Sequence, residues 1–131
     1  MAEVRYESCF ACGKDNPIGL KLQFRYEEGI AQAEFCASAE FEGYPGIIHG
    51  GIISTLLDEA MAKAILLTGK KAVTAHLSTK FRKTLSTGAK VTVLGWITLA
   101  KSRTISTEAK IVGNNGEVLA SSEAVFIVTG G

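Results

Sequence analysis

The stretch "GYPGIIHGGIISTLLDEAMAKAILL", residues 43–67, decides the fold. Eleven of the eighteen residues 50–67 are apolar or alanine, so the stretch predicts one long helix from about Gly50 to Leu67, with Gly69 as the C-terminal stop. The apolar positions exceed one narrow stripe, which implies a helix buried nearly all round. Its entrance is unusual. Helices favour Ser, Thr, Asp or Asn at the N-cap, whereas this one opens with His49-Gly50-Gly51. An interior glycine costs helix stability roughly 1 kcal/mol relative to alanine. Two readings stand side by side. The glycines permit close packing against a neighbouring element, or they bare N–H groups at the positive end of the helix dipole for a carbonyl oxygen that becomes an oxyanion.

Outward from the helix, the chain reads as strands. Ahead of it, "LKLQFRYE" alternates with Leu20, Leu22, Phe24 and Tyr26 on one face, "EEG" turns, and "IAQAEFCA" returns as a hairpin partner. Behind it, "AVTAHLSTKFRK", "AKVTVLGWITLA", "RTISTEAKIV" and "EVLASSEAVFIVT" all have period two, with "NNG" at 114–116 as a tight turn. In the first of these, Val73, Ala75, Leu77 and Phe81 are expected to face one way and Thr74, His76, Ser78, Lys80 and Arg82 the other. Two strands, one helix and four strands predict an α+β fold: a curved, mostly antiparallel sheet of about six strands wrapped around a central helix. One such sheet would struggle to enclose the helix alone, so a partner subunit is expected.

Composition narrows the class. Residues 1–131 read as one domain, with 1–18 an irregular lead-in rich in Cys, Gly, Asn and Pro. Hydrophobic residues make up 47% and charged residues 21%, and the net charge is +1. That balance argues against nucleic-acid or membrane-surface partners. No apolar run is long enough to span a bilayer, and the first residues lack the apolar core of a signal peptide. The expected location is cytoplasmic, where an odd set of three cysteines stays reduced.

Two carboxylates lie on the apolar helix. Glu59 has Lys63 at i+4, in the favourable order. Asp58 has only Ser54, Thr55, Met61 and Ala62 as helical neighbours. A carboxylate without a basic partner on such a helix is costly unless hydrogen-bonded, and is a candidate for acid–base chemistry. A structural bond to Ser54 or to a distant arginine is an equal alternative. Asp58 lies eight residues beyond Gly50, about 12 Å along the axis. The two are poorly placed to grip one carbonyl from the same chain, and a second chain's helix nearby would satisfy the geometry.

With these residues in view, "GYPGIIHGGIISTLLDEAMA" resembles the hotdog-fold acyl-CoA thioesterases of the phenylacetyl-CoA-thioesterase-like group. The pattern is H-G-G with an Asp nine residues after the His, matched by His49 and Asp58. "VTAHL", "KFRK" and the lead-in "CFACGKDNPIGLKLQF" add to the likeness. The resemblance implies a homo-oligomer, a dimer or a homotetramer built as a dimer of dimers, with sites at the subunit interface. It assigns Gly50 as the oxyanion donor and Asp58 of the partner chain as general base or nucleophile. Thr74 would help hold the attacking water, and His49 and Gly51 would line the site. The substrate it implies is an acyl-CoA, with coenzyme A entering as part of the substrate and no separate cofactor. One departure is plain: where some relatives carry Asn or Gln upstream of the His, this chain reads Gly43-Tyr44-Pro45-Gly46.

Other features receive plainer readings. Cys9 and Cys12 form a single C-x-x-C without a second pair, so two free thiols and no metal are expected. Cys36 reads as packing, and His76 as a hydrogen-bonding group on the polar face with Thr74. Trp96 shapes either an acyl pocket or an oligomer contact. Lys80, Arg82, Lys83, Lys101 and Arg103 could form a basic rim for the coenzyme A phosphates, or be solvated surface charge. Two functions stay open: thioester hydrolysis, favoured by Asp58, and non-catalytic acyl-CoA binding on the same fold.

Overall fold

The computed structural model describes residues 9–130, so the first eight residues of the lead-in lie outside the described part. The hairpin forms at Glu28-Gly29, where both residues take the left-handed conformation that a tight two-residue turn requires (φ 51 and 83). It joins β1 (Arg25–Glu27) to β2 (Ile30–Cys36). The first strand is shorter than its alternation implies. Lys21 has φ 56, which breaks the extended run, so Leu20, Leu22 and Phe24 are buried from an irregular segment, while Tyr26 is exposed. A short 3-10 turn (Ala39–Phe41) and a loop lead into α1 (Gly50–Leu66). Its end matches expectation: Gly69, with φ 89, donates its N–H to the Leu66 carbonyl. The remaining strands are β3 (Lys71–Phe81), β4 (Lys90–Ala100), β5 (Thr104–Val112) and β6 (Val118–Gly130).

All six strands form one antiparallel sheet in the order β1-β2-β4-β5-β6-β3. The helix lies on its inner face, and from Ile52 to Leu67 every residue is buried or half-buried. Leu56, Leu57, Ala60 and Met61 are fully enclosed. The sheet meets them with small residues, among them Ala31, Ala33, Ala109 and Ala124. Gly95 marks the tightest approach. A Cβ there would stand 2.5 Å from the Ala60 carbonyl carbon and 2.8 Å from the Met61 nitrogen. No side chain fits between β4 and the helix backbone at that point. Six antiparallel strands around one central helix are the hotdog architecture.

β3 is an edge strand of 11 residues and most of it is exposed. Its pairing with β6 is interrupted between Thr74 and His76: Thr74 opposes Phe126, while His76 opposes Val125. Ala75 is therefore an extra, bulged residue, and the parity of the strand changes there. Phe126 is a buried, inward residue. Thr74 shares its face, together with Leu77, Thr79 and Phe81. His76, Ser78 and Lys80 face outward. The expected single alternation is thus corrected: Thr74 turns toward the helix, and His76 lies on the opposite face from it.

Candidate functional site

At the helix entrance, the His49 Nδ1 accepts a hydrogen bond from the Gly51 N–H at 2.8 Å. The imidazole is itself the N-cap. Of the two residues expected to meet substrate through their N–H groups, Gly51 is thus occupied. Gly50 is not: among the described residues nothing accepts from its N–H. Gly50 borders a cavity of about 500 Å³ with Gly43, Tyr44, Ile47, Ile48 and His49. The loop over it is set by its own bonds: Gly43 N–H to the Ile47 carbonyl, and Gly46 N–H to Glu42 Oε2 at 3.0 Å. The segment without Asn or Gln is thus a tight backbone turn, held at Gly46 by φ 80. Phe81, at the far end of β3, lies beside Gly50.

Two turns further along α1, Thr74 Oγ1 donates to Asp58 Oδ1 at 2.7 Å. Among the described residues neither Ser54 nor an arginine partners the carboxylate. Among the described residues Asp58 Oδ2 has no donor, and Asp58 is half-buried, not enclosed. The bulge at Ala75 is what aims Thr74 at it. The structure therefore brings Asp58 and Thr74 together, and His49, Gly50 and Gly51 together, as two separate groups on one chain. Sequence alternation cannot register the extra residue, and so places Thr74 facing away.

The basic residues divide in the same way. The Arg82 N–H bonds the Leu119 carbonyl, whereas the Arg103 carbonyl accepts from Val128. These anchor points on β6 are nine residues apart, about 30 Å. A single rim from Lys80, Arg82, Lys83 and Arg103 does not exist within one chain. Lys80 and Arg82 stay exposed at one end, and Arg103 is exposed at the other. Lys83 pairs with Glu117 at 2.6 Å on the surface. Trp96 sits on the outer face with Lys110 Nζ 6.0 Å from its ring centroid, away from Asp58.

A second cluster lies beside α1. The Sγ atoms of Cys9 and Cys12 and the carboxylate of Glu59 all fall within 4.8 Å of one another. Cys12 is buried and Cys9 half-buried, and the Cys12 thiol lies close to both Cys9 and Glu59. Burial, then the Glu59 charge, push the Cys12 thiol up to about 12. Burial raises the Glu59 carboxyl above its ordinary value, against the opposing pull of the neighbouring Cys12 thiol and of Lys63. Lys63 is only 3% exposed. The i+4 pairing of Glu59 with Lys63 is present electrostatically, but inside the molecule. Cys36, expected in the packing, is exposed at the end of β2.

Known proteins bear on this arrangement. The model of the thioesterase superfamily matches residues 45–120, which include the helix, Asp58 and Thr74. The mouse (Mus musculus) acyl-coenzyme A thioesterase THEM5 is 38% identical over 48 residues, 37% of this chain and 19% of that protein. The chain thus spans about a fifth of the length of that relative. A Streptococcus mutans protein solved bound to acetyl CoA superposes with TM-score 0.79 at 23% identity, over 83% of this chain and 89% of that one. The PaaI protein of the phenylacetic acid degradation operon of E. coli gives TM-score 0.80 at 22% identity, over 86% and 82%. The match to more than half of the sequence, on the same fold, makes this chain a member of the thioesterase superfamily.

Proposed function

We propose that the protein is an acyl-CoA thioesterase, hydrolysing a small-to-medium acyl-CoA to free acid and coenzyme A between two subunits of a homo-oligomer. The observation that carries this reading is Asp58, which has one hydroxyl donor and, among the described residues, a carboxylate oxygen to spare on a largely buried helix. Thr74 fixes the carboxylate, and its oxygen lone pairs can accept from a water. Asp58 takes a proton from that water as it attacks the thioester carbon, or attacks the carbon itself to give a mixed anhydride that water then hydrolyses to the free acid. The Gly50 N–H, at the positive end of the helix dipole, steadies the oxyanion. The tetrahedral intermediate collapses, the C–S bond breaks, and the thiolate leaves to take up a proton. A thioester needs little more than a polarised carbonyl and a placed base.

In this reading the two groups come from different chains. Gly50 touches the Phe81 end of β3, and Asp58 touches the Thr74 end. Two copies of β3 paired antiparallel about their centres would set one chain's Phe81 end beside the other's Thr74 end. The same pairing would draw the Arg82 end of one chain toward the Arg103 end of its partner, so a basic rim for coenzyme A phosphates would form only in the assembly. The acetyl CoA bound by the Streptococcus mutans protein supports coenzyme A as the thiol carrier. No helix among the described residues is long and apolar enough to cross a membrane, and a cytoplasmic setting suits free thiols and a coenzyme A substrate.

The test is thiol release from short, medium, long and aromatic acyl-CoAs, wild type beside Asp58→Asn. We expect turnover by the wild type and a loss of about a hundredfold or more in the variant, with oligomer and melting temperature kept. If both proteins bind acyl-CoA and neither releases thiol, the protein is a binding module and the hydrolytic reading fails.

A further inference from the structure

We propose that Cys9, Cys12 and Glu59 form a site for a thiophilic divalent cation of the zinc type, which clamps the N-terminal loop onto α1. The expectation of two free thiols rests on the lack of further ligands near the C-x-x-C. The fold supplies one. Glu59 is distant in sequence, yet its carboxylate and both sulfurs lie within 4.8 Å of one another. A tetrahedral zinc site with bonds of about 2.3 Å to sulfur and 2.0 Å to oxygen places its donors roughly 3.5 Å apart. Small side-chain rotations close that difference.

The loop that carries the sulfurs is built, not draped. Its backbone is tied by Gly13 N–H to the Cys9 carbonyl, Leu20 N–H to Phe10 and Leu22 N–H to Ala11. Gly19 allows this closeness, since a Cβ there would come within 2.6 Å of the Phe10 oxygen. Ala11 and Cys12 are buried at 4% and 5% exposure. Charge also balances. Two thiolates and a carboxylate offset a divalent cation together with the ammonium of Lys63, which acts electrostatically on both Cys12 and Glu59. On coordination the two thiols give up their protons to solvent. Thiolate donors select zinc-like ions over magnesium or calcium. Three protein donors leave a fourth position for a water or small ligand, and a cavity of about 300 Å³ borders Cys9, Cys12 and Glu59.

The experiment uses the full chain, saturated with zinc, dialysed without chelator and assayed by elemental analysis, beside Cys9→Ser/Cys12→Ser and Glu59→Gln. About one zinc per chain should be retained by wild type. The cysteine double variant should retain none, and Glu59→Gln should bind at least about tenfold more weakly. Cobalt in place of zinc should give a thiolate-to-metal charge-transfer band. Should the variants fold poorly, alkylation of wild type mapped by mass spectrometry answers the same question: zinc protects Cys9 and Cys12 and leaves Cys36 reactive. Retention no greater than in the double variant, or no protection of the two cysteines, overturns the proposal. None of these readouts depends on thioester hydrolysis.

Discussion

A Cβ on Gly51 would sit 3.0 Å from His49 Nδ1 and 3.1 Å from its Cε1, the ring that caps the helix. A Cβ on Gly50 would meet only the Phe81 ring, at an ordinary 3.6 Å. The two neighbours are therefore glycine for different reasons: Gly51 makes room for the cap, whereas packing asks nothing of Gly50. Gly51→Ala should push the imidazole off and lose the cap, lowering stability by about 1 kcal/mol, as read by denaturant titration. Gly50 is the first helical residue, a position where proline is tolerated. His49 before it is already extended (φ -59, ψ 133), as a residue preceding proline must be. Gly50→Pro should hence fold with an unchanged melting temperature and remove one N–H. If that N–H holds the oxyanion, kcat should fall by about a hundredfold or more. Unchanged kcat would take Gly50 out of the chemistry.

At the scale of elements, the contact between β4 and α1 is set by the absent side chain of Gly95. Gly95→Ala must either part the helix from the sheet or bend β4, because the atoms it meets are backbone. It should destabilise by about 1–3 kcal/mol, and a melting temperature equal to wild type would contradict the packing described. Nothing in the sequence flags this glycine, since a strand glycine reads the same whether it marks a bulge or a close approach. The helix, the hairpin turn and the four later strands are legible because each follows a local period. What periodicity lacks is a way to sense an inserted residue. The bulge at Ala75 reverses the face of Thr74, and with it the reading of His76. Lys21 shortens β1 by a backbone conformation that its side chain does not announce. Asp58, Gly50 and His49 are legible as a motif, but the capping role of His49 is not, nor is the meeting of Glu59 with the cysteines, because both depend on three-dimensional approach.

For the whole molecule, the decisive surface is the long edge of β3. An eleven-residue edge, with the outward row of its backbone donors and acceptors unpaired among the described residues and with Phe81 and Val73 exposed at 55% and 56%, forms a template for another strand. In the proposed dimer a second copy of the same edge would cover it in a two-fold arrangement, in which each surface patch meets its own copy. Each site would then draw Gly50 from one chain and Asp58 with Thr74 from the other. Mixing two inactive variants tests this directly. Gly50→Pro keeps Asp58, and Asp58→Asn keeps Gly50. In a mixed dimer one site receives both defects and the other receives neither. After co-expression at equal levels, random pairing makes half of the dimers mixed, each with one of its two sites intact, so about a quarter of wild-type activity should return. A site contained within one chain would give no recovery, because every chain carries a defect. Exchange between dimers formed separately should be slow if the continuous sheet is the interface, so remixing the purified variants should recover less activity than co-expressing them.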